Sequence, residues 1–456
     1  MTGLVLEFDD GTIRIAASPE SSFEQSVLDS LDVPDIEFDP RSKTGRVPAF
    51  RYSELLEALA ESEIAVEDEV FGLHSLDLSS PYELREYQNE ALAAWQDADR
   101  RGVIELPTGS GKTVIGIGAI ERCETPALVV VPTIDLLDQW VTELAHVFDC
   151  SIGRLGGGTQ QVERITVSTY DSAYLRADEL GNQFGLVIFD EVHHLGGEGY
   201  REIARLLAAP ARLGLTATFE RADGAHERLK TLVGDVVYRL DADDLAGEYL
   251  SAYDIKRIAV TLTPEEREQY ERDQQIFTDY LRQSNIKLRS GSDYQKLVKR
   301  SGTDPRARKA LLAKQRAREV MMNAQRKVEE LAAILDRHRE DRIIIFTAHT
   351  ELVYRLSERF LIPAITHETS ASERRHILDR FRRGEYSRIV AANVLDEGID
   401  VPDANVAVLL SGSGSEREFT QRLGRILRPT DDESRAILYE LVTEETAEER
   451  VARRRR

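Results

Sequence analysis

The chain has 456 residues, a formal charge of −22 and two cysteines. That length holds roughly three domains with ordinary cores and excludes a small disulfide-stapled scaffold, and Cys123 and Cys150 cannot supply a cluster that needs four thiolates. No run reaches transmembrane length and the first thirty residues lack a basic start and an apolar core, so a soluble, cytoplasmic chain with no membrane partner is expected.

Residues 1–78 open with alternating apolar positions (Leu4, Leu6, Phe8, then Ile13 and Ile15) around Asp9-Asp10-Gly11-Thr12, the pattern of a β-hairpin. Helices are predicted near Glu24 to Leu31 and Ser53 to Ala60. This small, acidic α+β module carries no visible chemistry. Residues 79–250 then alternate short apolar strands with helical stretches: Gly102 to Leu106, Ala127 to Val131, Ile165 to Ser168, Leu186 to Phe189 and Arg212 to Leu215. Continuous apolar runs separated by helices mark a parallel sheet covered on both faces. The same grammar returns in 336–456, with strands near Arg342 to Phe346, Ala364 to Thr366, Arg388 to Ala391, Ala404 to Leu410 and Ile437 to Leu441. Two doubly wound α/β lobes are implied, and 251–335 reads as a linker followed by a polar, basic helical insertion from Pro264 to about Leu335 with no strand signal.

Charge is unevenly placed. Between Arg282 and Lys327 there are 14 Lys+Arg against 3 acids, so the strongly negative total does not exclude a nucleic-acid partner. Only 10 of the 59 cations are lysine, and an acidic, lysine-poor surface suits a halophilic cytoplasm, where molar salt screens like charges within ~3 Å.

Chemistry concentrates in three segments. Leu106-Pro107-Thr108-Gly109-Ser110-Gly111-Lys112-Thr113 follows a strand and precedes a helix. Glycines there let backbone N–H groups face the β- and γ-phosphates of ATP, Lys112 adds a point charge and Thr113 can hold Mg²⁺; Leu106 stands where the strict pattern has glycine. Asp190-Glu191-Val192-His193 places two carboxylates at the carboxyl end of a strand, Asp190 for Mg²⁺ and Glu191 to orient and deprotonate the attacking water. His193 and His194 lack a third ligand at metal spacing. In the second lobe Gln421, Arg425 and Arg428 share one helical face, and closure of the lobes would bring them to the γ-phosphate as arginine fingers.

On these residues 80–445 resembles the superfamily 2 helicases, whose lobes are RecA-like. The resemblance implies that Leu84-Arg85-Glu86-Tyr87-Gln88 reads adenine, with Gln88 at the base. It makes Val131-Pro132-Thr133 and Val167-Ser168-Thr169-Tyr170 strand-tracking segments, and Thr216-Ala217-Thr218 the coupling segment between ATP and nucleic acid. Ile345-Phe346-Thr347 and Glu397-Gly398-Ile399-Asp400 match second-lobe motifs, with Gly398 and Asp400 near the ribose or the lobe interface. Pro132, Thr133, Thr169 and Thr347 then contact the nucleic-acid backbone.

Within the superfamily the chain is most similar to the XPB family in its short archaeal form. The small first module resembles a damage-recognition domain, the acidic box reads Asp-Glu-Val-His, and the basic insertion sits where that family has its thumb. The family's Arg-Glu-Asp is here Arg221-Ala222-Asp223, one carboxylate short. The resemblance implies a 3′-to-5′ DNA helicase and DNA-dependent ATPase of excision repair or transcription, gripping duplex or forked DNA with Arg221, Asp223, Lys296, Lys299 and Arg300, monomeric and with a nuclease partner. Two other readings remain: a duplex translocase that does not unwind, and a DNA-binding scaffold that recruits a nuclease. A DEAD-box RNA helicase fits less well, since His193 ends the box and that group lacks a comparable insertion.

Overall fold

The computed structural model describes residues 3–18, 25–62, 64–107, 109–197, 199–217, 219, 226–241, 253–284, 286, 291–392, 404–411 and 436–449. The chain forms two compact units, one of Met1–Tyr249 and one built mainly from Leu250–Asp396 and Val401–Arg456.

The first unit begins with strands β1 (Gly3–Asp9), β2 (Thr12–Ala17), β3 (Glu37–Asp39), β4 (Thr44–Pro48) and β5 (Ala65–Asp68), in the sheet order β3-β4-β2-β1-β5. The hairpin predicted at Asp9–Thr12 is β1 and β2, turning through Asp10 (φ 47°) and Gly11 (φ 76°), the left-handed pair that a two-residue loop requires. Alternation puts Leu4, Leu6, Ile13 and Ile15 on one face, where Leu55 and Leu59 of the helix Tyr52–Glu61 cover them.

This module shares its packing with the lobe that follows. Phe50 lies in the lobe's core beside Val103, Phe184 and Ile203, while Ala208 of the lobe lies in the module's core. Asn182 Nδ2 donates to Val70 O at 2.9 Å. Phe8 lies so close over Gly181 that a Cβ there would be 1.9 Å from Phe8 Cζ.

The lobe's sheet has eight strands: β6 (Arg101–Glu105), β7 (Ala127–Val131), β8 (Ile152–Gly156), β9 (Thr159–Gln161), β10 (Ile165–Thr169), β11 (Leu186–Asp190), β12 (Ala211–Thr216) and β13 (Val236–Arg239). Their order is β13-β6-β12-β11-β7-β10-β8-β9, parallel except for the β8–β9 pair. Only β12 separates β6 from β11, so the loop after β6 and the acids after β11 emerge on the same carboxyl edge.

In the second unit β14 (Tyr253–Val260), β15 (Ile343–Thr347), β16 (Ala364–Ile365), β17 (Arg388–Ala392), β18 (Val406–Leu409) and β19 (Ala436–Thr443) form a parallel sheet ordered β14-β19-β18-β15-β17-β16. Here the sequence reading of 251–335 as linker and insertion is corrected at both ends. Tyr253–Val260 is an edge strand of this lobe, paired with Ala436–Thr443. The helix Gln325–Arg337 belongs to the lobe's core, since Val328, Leu331, Ile334 and Leu335 pack on Ile343 and Ile345.

The insertion proper is three helices, Pro264–Gln283, Gly291–Ser301 and Pro305–Met322. Thr263 caps the first, accepting from Glu266 N at 3.3 Å while Glu266 Oε2 accepts from Thr263 N at 2.9 Å. Ala307, Ala310, Ala313 and Ala317 form a buried stripe on the third, and Arg316 reaches across to the buried Asp273 with Nε and Nη2.

Candidate functional site

The loop after β6 is held from below before any ligand is considered. Gly109 (φ 87°) and Gly111 (φ 78°) take left-handed conformations open to glycine at little cost. The carbonyl of Ser110 accepts from Tyr87 OH and, at 3.1 Å, from Gln88 Nε2, so the helix Glu86–Asp97 clamps the turn. A Cβ at Gly111 would come within 2.6 Å of Gln88 Nε2. Lys112 is buried, with Nζ donating to Leu106 O at 3.1 Å, and Thr113 follows it in the first turn of the helix Lys112–Cys123.

The expected base contact, Gln88, is buried and partly committed: Oε1 accepts from Arg85 N at 3.0 Å and Nε2 serves the loop. An amide has two donors and two lone pairs, so one of each remains for a base. Arg85 itself is exposed at the start of that helix, its Nη1 3.5 Å from Tyr87 OH.

Asp190 ends β11 as a buried carboxylate with both oxygens held. Oδ1 accepts from Glu191 N at 3.0 Å and Oδ2 from Trp140 Nε1 at 2.8 Å. The fully buried Tyr170 donates to Asp190 O at 3.2 Å; burial first, and then the charges of Asp190 and Glu191, push its phenol well above the usual range, so it remains a donor. Glu191 stands at φ 48°, which turns the chain sharply between the two acids. His193 Nδ1 lies 3.1 Å from Thr216 Oγ1 and 3.6 Å from Glu191 Oε2, while Leu106 N donates to Thr216 O at 2.9 Å. Thr216, at the end of β12, therefore ties the acidic box to the phosphate loop. No group of three His, Cys, Asp or Glu suited to a metal occurs among the described residues.

Does this site fit a nucleotide with a divalent cation? Ser110 is fully buried and its Oγ has no hydrogen-bond partner among the described residues, although it sits in the turn that would surround phosphate. A ligand oxygen would satisfy that donor. With glycine-lined backbone, a buried ammonium and a fixed carboxylate on one sheet edge, the residues fit ATP and Mg²⁺.

The residues expected to track a nucleic-acid strand are placed less directly. Pro132 and Thr133 are half-buried after β7, and Thr133 Oγ1 accepts from Leu136 N at 3.2 Å as the cap of the helix Ile134–Val147. Thr169 Oγ1 accepts from Ser172 N at 3.2 Å in the same way after β10. Thr347 differs from expectation, being fully buried with its hydroxyl 3.0 Å from Ser411 Oγ. Burial at the end of β15 keeps that hydroxyl from a phosphate contact in this conformation. Lys296, Lys299 and Arg300 are exposed on the helix Gly291–Ser301, as a backbone grip requires. Lys327, counted with the basic stretch, is not surface charge: it is buried on Glu448.

Thr108, Arg221, Asp223, Gly398, Asp400, Gln421, Arg425 and Arg428 lie outside the described residues. Sequence reasoning missed Trp140, which reads as an ordinary buried aromatic, and gave no role of their own to Tyr87 and Tyr170, although both lie inside the helicase-like segments; the three set the geometry of the loop and of Asp190.

Three family descriptions match the chain: the Xeroderma pigmentosum group B helicase damage recognition domain over residues 6–70, the type III restriction enzyme res subunit over 81–221, and the ERCC3/RAD25/XPB C-terminal helicase over 308–456. A DNA 3'-5' translocase XPB2 of Sulfurisphaera tokodaii is 45% identical over 435 residues, 95% of this chain and 98% of the relative. A DNA 3'-5' helicase XPB of Mycobacterium tuberculosis is 30% identical over 82% of this chain and 63% of its own length. The Hef helicase domain of Pyrococcus furiosus shares the fold at a TM-score of 0.54 and 20% identity, covering 81% of this chain and 98% of that one. An identity of 45% along nearly the whole of both chains, with matching module and C-terminal helicase, places this protein in a family: it belongs to the XPB helicases.

Proposed function

We propose that this chain is an ATP-dependent DNA helicase that moves 3′ to 5′ and opens or remodels duplex or forked DNA in excision repair or transcription. The observation that carries the reading is the shared carboxyl edge of β6, β12 and β11, where Lys112, Thr216 and Asp190 are held within one hydrogen-bonded frame.

ATP with Mg²⁺, when bound, supplies the phosphoanhydride whose cleavage drives the cycle. Gly109, Ser110, Gly111 and Thr108 would bind phosphate, Lys112 would set its charge against the β- and γ-phosphates, and Thr113 and Asp190 would take the metal side. Glu191 orients and deprotonates the attacking water. Arg85 and Gln88 would take the base, and Gly398 and Asp400 would lie near the ribose or the lobe interface. Gln421, Arg425 and Arg428 supply the positive charge that the transferring phosphoryl group needs. On the nucleic-acid side the exposed Lys296, Lys299 and Arg300 neutralise phosphates, with Pro132, Thr133, Thr169, Arg221 and Asp223 as further contacts.

The protein is read as a cytoplasmic monomer that meets a nuclease. Its acidic, arginine-rich surface is read as an adaptation to a salt-rich cytoplasm of the halophilic kind. No helix among the described residues is long and apolar enough to cross a membrane.

A second reading, a duplex translocase without unwinding, fits the name of the Sulfurisphaera relative, a translocase, while the relatives named as 3'-5' helicases favour the first. The test is ATP turnover with duplex, forked and single-stranded DNA and with RNA across a KCl series, run beside strand displacement and roadblock displacement. Product strands support the helicase; roadblock displacement without them supports the translocase. Turnover stimulated by RNA and not DNA would overturn both. Lys112→Ala should abolish turnover, and Arg425→Ala should spare ATP binding while removing hydrolysis.

A further inference from the structure

One side chain inside the first lobe meets both the acidic box and the phosphate-loop helix and has no role in the reading above. Trp140 is fully buried at the middle of the helix Ile134–Val147. Its indole N–H donates to Asp190 Oδ2 at 2.8 Å. Its ring lies against the phosphate-loop helix so closely that a Cβ at Gly116 would be 2.5 Å from Trp140 Cη2. The helix that bears it starts at Thr133, whose hydroxyl caps it.

We propose that Trp140 is a positioning residue for ATP hydrolysis: it fixes the rotation of the Asp190 carboxylate and joins the strand-tracking end of its helix to the nucleotide site. The inference rests on the reading of Asp190 as the metal-side carboxylate.

The rotation of an aspartate carboxylate about its last bond is broad, so packing alone does not aim it. Here Glu191 N holds Oδ1 and Trp140 holds Oδ2. A carboxylate oxygen has lone pairs for more than one partner, so an oxygen held in this way can also meet a metal-bound water. Partners of this kind set ligand orientation, and their loss typically costs about 10- to 100-fold in metal affinity or activity.

The link to nucleic acid follows from stiffness. Trp140 stands seven positions after Thr133, about 10 Å along the helix. Leu136, Leu137 and Leu144 anchor that helix in the core, so a shift at its start is delivered to the indole rather than absorbed. Trp140 cannot move without moving Asp190 or the wall at Gly116.

Two measurements test this. Trp140→Phe keeps a ring and removes the donor; the Mg²⁺ concentration for half-maximal ATP turnover should rise about 10- to 100-fold, with kcat restored at saturating Mg²⁺. A folded variant, with wild-type melting in the absence of nucleotide, that keeps the wild-type Mg²⁺ dependence overturns the proposal. The second needs no variant. The chain has two tryptophans, Trp95 and Trp140, and Trp95 donates to a backbone carbonyl, Arg212 O, at 2.9 Å. Wild-type emission should shift when a non-hydrolysable ATP analogue is added with Mg²⁺, and less with the analogue alone; emission unchanged by the Mg²⁺ complex overturns the proposal. Asp190→Asn separates the two ideas. If it keeps the wild-type Mg²⁺ dependence, the reading of Asp190 itself fails; if it loses that dependence while Trp140→Phe does not, only the role of Trp140 fails.

Discussion

Lys327→Met should unfold part of the second unit more readily than any exposed substitution in the basic stretch, and its size follows from the surroundings of the ammonium. Lys327 Nζ lies 2.9 Å and 2.8 Å from the two carboxylate oxygens of Glu448 and 2.6 Å from Leu410 O, with 1% of its side chain exposed and 14% of its partner's. Burial pushes the ammonium pKa down and Glu448 opposes that shift. At such a separation the attraction is about 6 kcal/mol for an effective dielectric constant near 20, and desolvation of both ions offsets much of it. Removing only the cation leaves the offset without the attraction. Glu448 would then be a half-buried charge without its counter-ion and Leu410 O would be left without this donor, a destabilisation of about 3 kcal/mol, the low end for breaking a buried pair. In Lys327→Met/Glu448→Gln the charge is gone and Gln can still accept from Thr443 N, which Glu448 Oε2 does at 2.9 Å, so stability should return to within about 1–2 kcal/mol of wild type. Amide exchange in Val406–Leu409 and Ala436–Thr443 reads this locally. A single-variant destabilisation under about 1 kcal/mol, or a double variant no better than the single, would refute the reasoning.

Replacing Lys296, Lys299 and Arg300 by Ala should lower the slope of log affinity for duplex DNA against log salt by about 0.9 for each phosphate that is no longer neutralised, while Lys327→Met leaves it unchanged; equal slopes in all variants would remove the insertion from the DNA grip. Gly111→Ala should cost about 1–2 kcal/mol at φ 78° and press on Gln88, weakening ATP binding about tenfold in an equilibrium titration; wild-type affinity would contradict the clamp. Burial, and then the charge of Arg318, hold the His349 pKa below 6.5. Between that lowered value and 6.5 the unfolded chain binds the proton and the folded chain does not, so stability rises with pH across the window and is lost as pH falls. His349→Gln should flatten the rise of melting temperature with pH in that window, and an unaltered slope would assign it to other groups.

The phosphate loop and the acidic box were legible because buried parallel strands are continuous apolar runs, and Val103-Ile104 and Leu186 to Phe189 deliver Lys112 and Asp190 to their carboxyl ends. The hairpin at Asp10-Gly11 was legible for a local reason as well, since the left-handed turn is written in its two residues. Tyr253–Val260 gave no such sign. It is an edge strand, its outer positions carry Asp254, Lys256 and Arg257, and its partner lies at Ala436–Thr443, far along the chain.

Sequence alone thus marked the candidate chemistry of this XPB helicase where a few adjacent residues write it: the glycine-rich turn, the paired acids, the basic stretch. Tertiary structure alone decided which of those residues are sealed in and which stand exposed. Lys327 and Lys299 are the same residue type in one basic run, yet the first is sealed against Glu448 and the second stands in solvent. Trp140 reads as a core aromatic until the fold brings it 2.8 Å from Asp190, fifty positions away. The reason is physical: a hydrogen bond or an ion pair acts over about 3 Å, and which groups come that close is set by packing of the whole lobe rather than by neighbours in the chain.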